Sequence, residues 1–131
     1  MNKNKLEKII NLIFIRHGLS KNHAKISPDA LINAELVGAY GHGLSRLKMY
    51  CERISKKVIN SKPKIKLKKI SQSISHIDAN NSIGFVAADL GIKTAIKHAQ
   101  KTGIGMVAVK NSGHYGLSGY YAEQAVKKNL I

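Results

Sequence analysis

One stretch limits the possible folds more than any other: Met106–Val109, a short apolar run, followed by Lys110-Asn111-Ser112-Gly113-His114-Tyr115-Gly116-Leu117-Ser118-Gly119-Tyr120-Tyr121. The order is strand, glycine-punctuated loop, helix. Glycine at every third position (Gly113, Gly116, Gly119) predicts a backbone free to take φ > 0 and to let a ligand come close. The helical spacing that follows would leave free N–H groups at a helix N-terminus, a seat suited to phosphate. His114 adds a group that titrates near neutral pH. A chain carrying this unit is expected to be α/β.

The remaining elements follow from periodicity. Leu6, Ile9, Ile10 and Ile13 fall at i, i+3, i+4 and i+7, predicting a first helix that stops near Gly18. The basic start Met1–Lys5 before an apolar run faintly resembles a signal peptide. Asn11 interrupts that run, Arg16 and His17 close it, and no small-residue cleavage site follows. Ser27-Pro28-Asp29 has the form of a helix start, which predicts a second helix to Val37 with Ala30, Ala34 and Val37 as its apolar stripe. A start near Ser20 would instead leave Pro28 to kink the helix. After the loop Gly38–Leu47, the residues Leu47, Tyr50, Cys51, Ile54 and Val58 mark the buried face of a third helix.

Lys62–Lys69 alternates as a half-buried edge strand, with Ile65 and Leu67 inward and Lys64, Lys66 and Lys68 outward. Ile74–Ile77 reads as a strand and Asp78–Ser82 as a turn. A long helix follows, with Phe85, Ala88, Ile92, Ala95, Ile96 and Ala99 on one stripe and Gly103 as its stop. Met106–Val109 is expected to be buried on both faces. A last helix carries Tyr121, Ala122 and Ala125. The expected fold is an N-terminal helical segment followed by the start of a mixed sheet with flanking helices, an incomplete domain divided into 1–60 and 61–131. It is not a Rossmann domain, because Gly103-Ile104-Gly105 precedes its strand instead of joining strand to helix.

Charge and cysteine content restrict function. A formal net charge of +15 invites nucleic acid or an anionic membrane. Aromatic residues make up only 5%, with no tryptophan, so platforms for stacking bases are poor, and nucleic-acid binding ranks last among the readings. No stretch is long enough to span a bilayer, and the single cysteine, Cys51, forms no internal disulfide, so a cytoplasmic location and no membrane partner are expected. Cys51 lies on an apolar stripe, which speaks against a nucleophile. No HxxxH, HxH or CxxC spacing supports a metal site.

Two histidines stand beside glycines, His42 and His114. Arg46 follows His42 by four residues, in a first helical turn where a cation opposes the helix dipole. Arginine grips a carboxylate with two parallel bonds, and a neighbouring imidazole can exchange a proton with the adjoining carbonyl or hydroxyl while hydride moves. Tyr50, one turn beyond Arg46, shares its face. Such a set suits a 2-keto or 2-hydroxy acid, and the hydride must come from a cofactor seated at the Gly113–Gly119 loop.

Three segments carry a resemblance: Gly38-x-x-x-His42-Gly43-x-Ser45-Arg46-Leu47, Asp78-Ala79-Asn80-Asn81 before a long helix, and Gly103 to Tyr121. In register and order they resemble the malate/L-lactate dehydrogenase family, a non-Rossmann group that includes ureidoglycolate dehydrogenase, diketogulonate reductase and piperideine-2-carboxylate reductase. The resemblance implies NAD- or NADP-dependent oxidoreduction of 2-keto or 2-hydroxy acids such as malate or lactate, usually by a homodimer. By position it makes His42 a substrate-site histidine, Arg46 the carboxylate-binding arginine, Tyr50 a lining residue and His114 the second histidine. The two histidines remain alternatives for the acid/base. His114, Tyr115, Gly116, Ser118 and Gly119 resemble part of a cofactor contact.

Two departures stand out. The family usually has a serine just before the first histidine, often preceded by an acid, where this chain has Gly41 and Tyr40. Pro28 falls where members usually run through helix. Members are also more than twice as long, so a fragment, or a truncated, inactive remnant serving as an interaction module, is the alternative to an active enzyme.

Overall fold

The computed structural model describes residues 2–131; Met1, which begins the basic N-terminal stretch, lies outside them. Among the described residues the helices are α1 (Lys3–Arg16), α2 (Lys21–Leu36), α3 (Leu47–Ser55), α4 (Gly84–Thr102) and α5 (Ser118–Val126). The strands are β1 (Lys66–Lys69), β2 (Ile74–Ser82) and β3 (Met106–Ser112). The sheet is mixed, in the order β1-β2-β3, with β1 antiparallel and β3 parallel to β2.

α1 ends as expected: Gly18 takes φ +102° and the Leu19 N–H returns to the Phe14 carbonyl, satisfying an orphan acceptor of the last turn. α2 does not begin at Ser27. Its N-cap is Ser20, whose Oγ accepts the His23 N–H at 3.2 Å, and Pro28 sits in the helix interior. A mid-helix proline forfeits a backbone bond at a cost of about 3 kcal/mol. Against that loss, Ala24, Pro28, Ala30, Leu31 and Ile32 are all buried, and each fully buried large aliphatic residue contributes roughly 1.5–3 kcal/mol. Tertiary burial therefore outweighs the local start signal at Ser27-Pro28. Val37 is exposed and does not belong to the stripe.

The main core gathers Ile10 and Phe14 of α1, Leu31 of α2, Tyr50 and Ile54 of α3, and Ile83 and Phe85 at the start of α4. A smaller cluster of Ile77, Ala79 and Ala87 lies between β2 and α4. Further expectations change. Val58 lies beyond the end of α3 and is exposed. Leu67 is 48% exposed and only Ile65 is partly buried, because α4 covers β2 and β3 but leaves β1 as a bare edge. β3 is likewise an edge: Met106 is 55% exposed, so this strand is covered on one face at most. On α4 the buried residues are Gly84, Phe85, Val86, Ala87 and Gly91, while Ile92, Ala95, Ile96 and Ala99 are only partly covered; on α5 Tyr121 is buried and Ala122 exposed.

The segment Asp78–Ser82 is strand carrying a bulge, not a turn. Asn80 and Asn81 adopt φ +50° and +56°, a region asparagine tolerates better than most residues. Side chains fasten the bulge: Asp78 Oδ1 accepts the Asn80 N–H and Asn111 Nδ2, and Asn80 Oδ1 accepts the Lys64 N–H and Asn60 Nδ2. The bulge redirects the chain into α4, whose first turn packs under the loop containing His114.

Candidate active site

The loop before α3 is held by its own side chains. Glu35 Oε1 accepts the Leu44 N–H at 2.6 Å, and a Cβ on Gly43 would push the Glu35 carboxylate out of that bond. Ser45 Oγ donates to the Tyr40 carbonyl at 2.6 Å. Arg46 Nε donates to the Gly41 carbonyl at 2.7 Å. That bond accounts for a cation at an unfavourable helix start, and it leaves the two terminal nitrogens of the guanidinium for a ligand.

Tyr50, 1% exposed, packs its ring on Phe85 at 4.9 Å between centroids and places its hydroxyl 2.7 Å from His114 Nδ1. The Gly116 N–H also points at Nδ1, at 3.2 Å. A backbone N–H can only donate, so Nδ1 acts as the acceptor and Tyr50 O–H donates to it as well. The ring proton of neutral His114 is thereby assigned to Nε2. His42 stacks on His114 with centroids 5.8 Å apart and planes 23° apart.

Two close approaches fix this arrangement. A Cβ on Gly84, the first residue of α4, would collide with the backbone carbonyls of Gly113 and His114. Gly116, at φ +84°, has its α-carbon against Phe85 and is the one glycine of the three in the loop that takes a positive φ. Gly113 and Gly119 do not, contrary to the expectation from their spacing.

The electrostatics follow from burial and cations. Burial pushes the His114 pKa below the ordinary histidine value, and the nearby guanidinium groups of Arg46 and Arg53 push it the same way. Burial raises the Tyr50 phenol to about 12, with Arg46 and Arg53 opposing. His114 is therefore neutral at pH 7, and Tyr50 keeps its proton. The signal for Arg53 in the sequence is its spacing, three residues after Tyr50 and seven after Arg46, on one helical face.

The structure thus brings His42, Tyr50 and His114 together, with Arg46 at the edge of the cluster. Of the expected cofactor-contact residues, Tyr115 packs on Tyr121 at 5.6 Å and its hydroxyl lies 3.3 Å from Ser118 Oγ. Gly119 lies exposed in the first turn of α5, and the Gly116 N–H is committed to His114. Beside the loop, Gly84, Ala88, Val107, Val109, Gly113 and Tyr115 help line a hollow of about 400 Å³, its walls mainly apolar.

Comparison with known proteins gives a consistent result. A family described as malate/L-lactate dehydrogenase matches residues 1–131. The chain is 40% identical over 129 residues to a malate dehydrogenase of Pyrococcus abyssi, covering 98% of this chain and 36% of that one. It is 34% identical over 126 residues to a ureidoglycolate dehydrogenase (NAD(+)) of Escherichia coli O157:H7, covering 96% of this chain and 36% of that one. The solved sulfolactate dehydrogenase of Methanocaldococcus jannaschii superposes with a TM-score of 0.93 at 32% identity, covering 98% of this chain and 38% of that one. The chain spans about a third of the length of the relatives it matches.

Proposed function

We infer the function from a plain premise: the chain belongs to the malate/L-lactate dehydrogenase family. Its relatives are dehydrogenases, and an oxidoreductase using a nicotinamide cofactor is the activity of that family. We propose that this chain is the N-terminal part of a protein that interconverts a 2-keto acid and its 2-hydroxy acid, with malate, lactate or sulfolactate as the substrate class. The observation that carries this reading is the Tyr50–His114–His42 cluster with Arg46 beside it.

In this reading the terminal nitrogens of Arg46 bind the substrate's C1 carboxylate, their plane set by the Nε bond to Gly41. His114, neutral with its proton on Nε2, donates a hydrogen bond to the C2 oxygen. That role suits an imidazole whose Nδ1 is occupied by two donors and whose charged form is disfavoured. His42, stacked on His114, is then the group that gives the proton on reduction and takes it back on oxidation. When bound, the nicotinamide supplies or accepts the hydride at C2. As C2 gains a C–H bond, the carbonyl π electrons move to oxygen, which takes the proton. The hollow beside Tyr115 has the size and apolar walls to receive a planar ring. Ser118 and Gly119, in the first turn of α5, have N–H groups placed for a phosphate. NAD and NADP fit these features equally.

Residues 1–60 then carry the substrate loop and 61–131 begin the nucleotide-binding region. A homodimer in the cytoplasm completes the proposal; no helix among the described residues is long and apolar enough to cross a membrane. A second reading is that this chain, which spans 36% of a relative, is a catalytically inactive remnant or interaction module. Turnover separates the two. The longer protein and this chain are each assayed with NADH or NADPH and a panel of 2-keto acids. Turnover by the longer protein alone supports the first reading for the protein and the second for this chain. Turnover by neither removes the proposal.

A further inference from the structure

At the end of α4 remote from His114, a cavity of about 580 Å³ opens between the β1–β2 hairpin and the last turns of the helix. Leu67, Lys69 and Gln72 form one wall; Lys97, His98 and Lys101 form the other. The path along α4 from Phe85, behind the His114 loop, to His98 is about 20 Å at 1.5 Å per residue, so this cavity is separate from the keto-acid site.

Its charge is uncompensated. No carboxylate lines it, and among the described residues none of Lys69, Lys97 and Lys101 takes part in an ion pair. Some helical lysines pair with an acid one turn away, Lys48 with Glu52, Lys93 with Asp89 and Lys127 with Glu123, whereas Lys97 and Lys101 have no acid three or four residues away. α4 neutralises Lys93 and then sets Lys97 and Lys101 one turn apart, where like charges repel. The helix dipole favours Lys101 in the last turn, but it does not account for Lys69 across the cleft. The floor is polar and fastened. Ser75, 1% exposed, bonds His98 Nε2 through its hydroxyl at 2.8 Å, and Ser73 and Thr102 share a hydroxyl bond of 3.0 Å. These bonds tie β2 and the residue before it to α4, holding the two lysine-bearing walls at a set separation.

We propose that this cavity binds a small molecule carrying two or more phosphate groups. Lysine ammoniums bind phosphate as point charges from several directions, whereas planar recognition of a carboxylate calls for arginine, which is absent from the lining. No phenylalanine, tyrosine or tryptophan lines the cavity, and its one ring, His98, is tied to the Ser75 hydroxyl, so it offers a poor platform for a nucleobase. Its volume is that of a small-molecule site and not of a groove for a nucleic-acid strand. The site does not depend on the dehydrogenase reading.

The test is calorimetric titration with inorganic pyrophosphate at low ionic strength, about 20 mM, where screening is weak. One molecule is expected to bind, more tightly than orthophosphate. Lys97→Gln/Lys101→Gln is expected to weaken binding about tenfold or more, and Lys21→Gln/Lys56→Gln, which removes the same charge elsewhere, by less than about twofold. Should the cavity double variant fold poorly, Lys69→Gln on the opposite wall reads the same contact. Undetectable binding, equal losses in cavity and control variants, or tighter binding of a single-stranded oligonucleotide than of pyrophosphate would overturn the proposal.

Discussion

Gly84→Ala tests whether the first turn of α4 positions His114. Alanine normally strengthens a helix relative to glycine by up to ~1 kcal/mol, and less in the first turn. Here the added methyl has no room, because it meets the carbonyls of Gly113 and His114, and both are backbone atoms that cannot rotate away. Forcing a methyl into such a contact costs about 1–3 kcal/mol in displaced structure. The net effect is therefore a destabilisation of roughly 1–2 kcal/mol, a fall in Tm of about 3–8 °C for a chain of this size. Gly119→Ala is the matched control. It also lies in a first helical turn, α5, but its Cβ would merely touch Leu117 Cγ at 4.0 Å. That variant should be neutral or up to ~1 kcal/mol more stable. Thermal and urea unfolding of both variants measure the difference. If Gly84→Ala is as stable as Gly119→Ala, the loop does not pack on α4 as described, and the placement of His114 fails with it.

Further predictions concern the site itself. Tyr50→Phe keeps the packing on Phe85 and removes one hydrogen bond, so it should cost about 0.5–1.5 kcal/mol in urea unfolding, Nδ1 still being satisfied by Gly116. His114 has a depressed folded-state pKa, so its neutral form contributes stability that is present above the ordinary histidine value and lost as pH falls through it. His114→Gln should flatten the stability–pH profile below the ordinary histidine value. In a protein of the relatives' full length that contains this chain, Arg46→Lys should raise KM about 10–100-fold with a smaller effect on kcat, since lysine supplies neither the two parallel bonds nor the Nε clamp on Gly41. Gly41→Ser should fold normally, because nothing lies within 4 Å of a Cβ there; a fall in Tm would show that the loop is tighter than described.

Much of the candidate site was legible because it is local. His42, Arg46 and Tyr50 lie within one loop and one helix, and their spacing alone puts Arg46 and Tyr50 on a common face. The approach of His114 to Tyr50 was not legible. The two are separated by 64 residues and are joined through Phe85 and Gly84, whose role is visible only as a lack of space. The fold shows the same division. α4 and the Gly18 and Gly103 stops came from periodicity and left-handed glycine, both local properties. For α2 the stronger local start signal is Ser27-Pro28-Asp29, but burial of the whole helix favours the alternative start at Ser20. β3 was expected to be covered because an apolar run says nothing of whether neighbours exist on both sides; here it is an edge. Asn80 and Asn81 read as a turn because asparagine at positive φ serves turns and bulges alike, and only pairing with β3 tells them apart.

The central claim is that the Arg46–His42–His114 cluster delivers hydride chemistry to C2 of a 2-keto acid. The direct measurement is label transfer by the longer protein, using NADH or NADPH deuterated at the transferring position of the nicotinamide and a 2-keto acid. The prediction is a 2-hydroxy acid with deuterium at C2, formed by the unaltered protein and formed at least about 100-fold more slowly by His42→Gln. A product unlabelled at C2, or labelled product formed at an unchanged rate by His42→Gln, would contradict it.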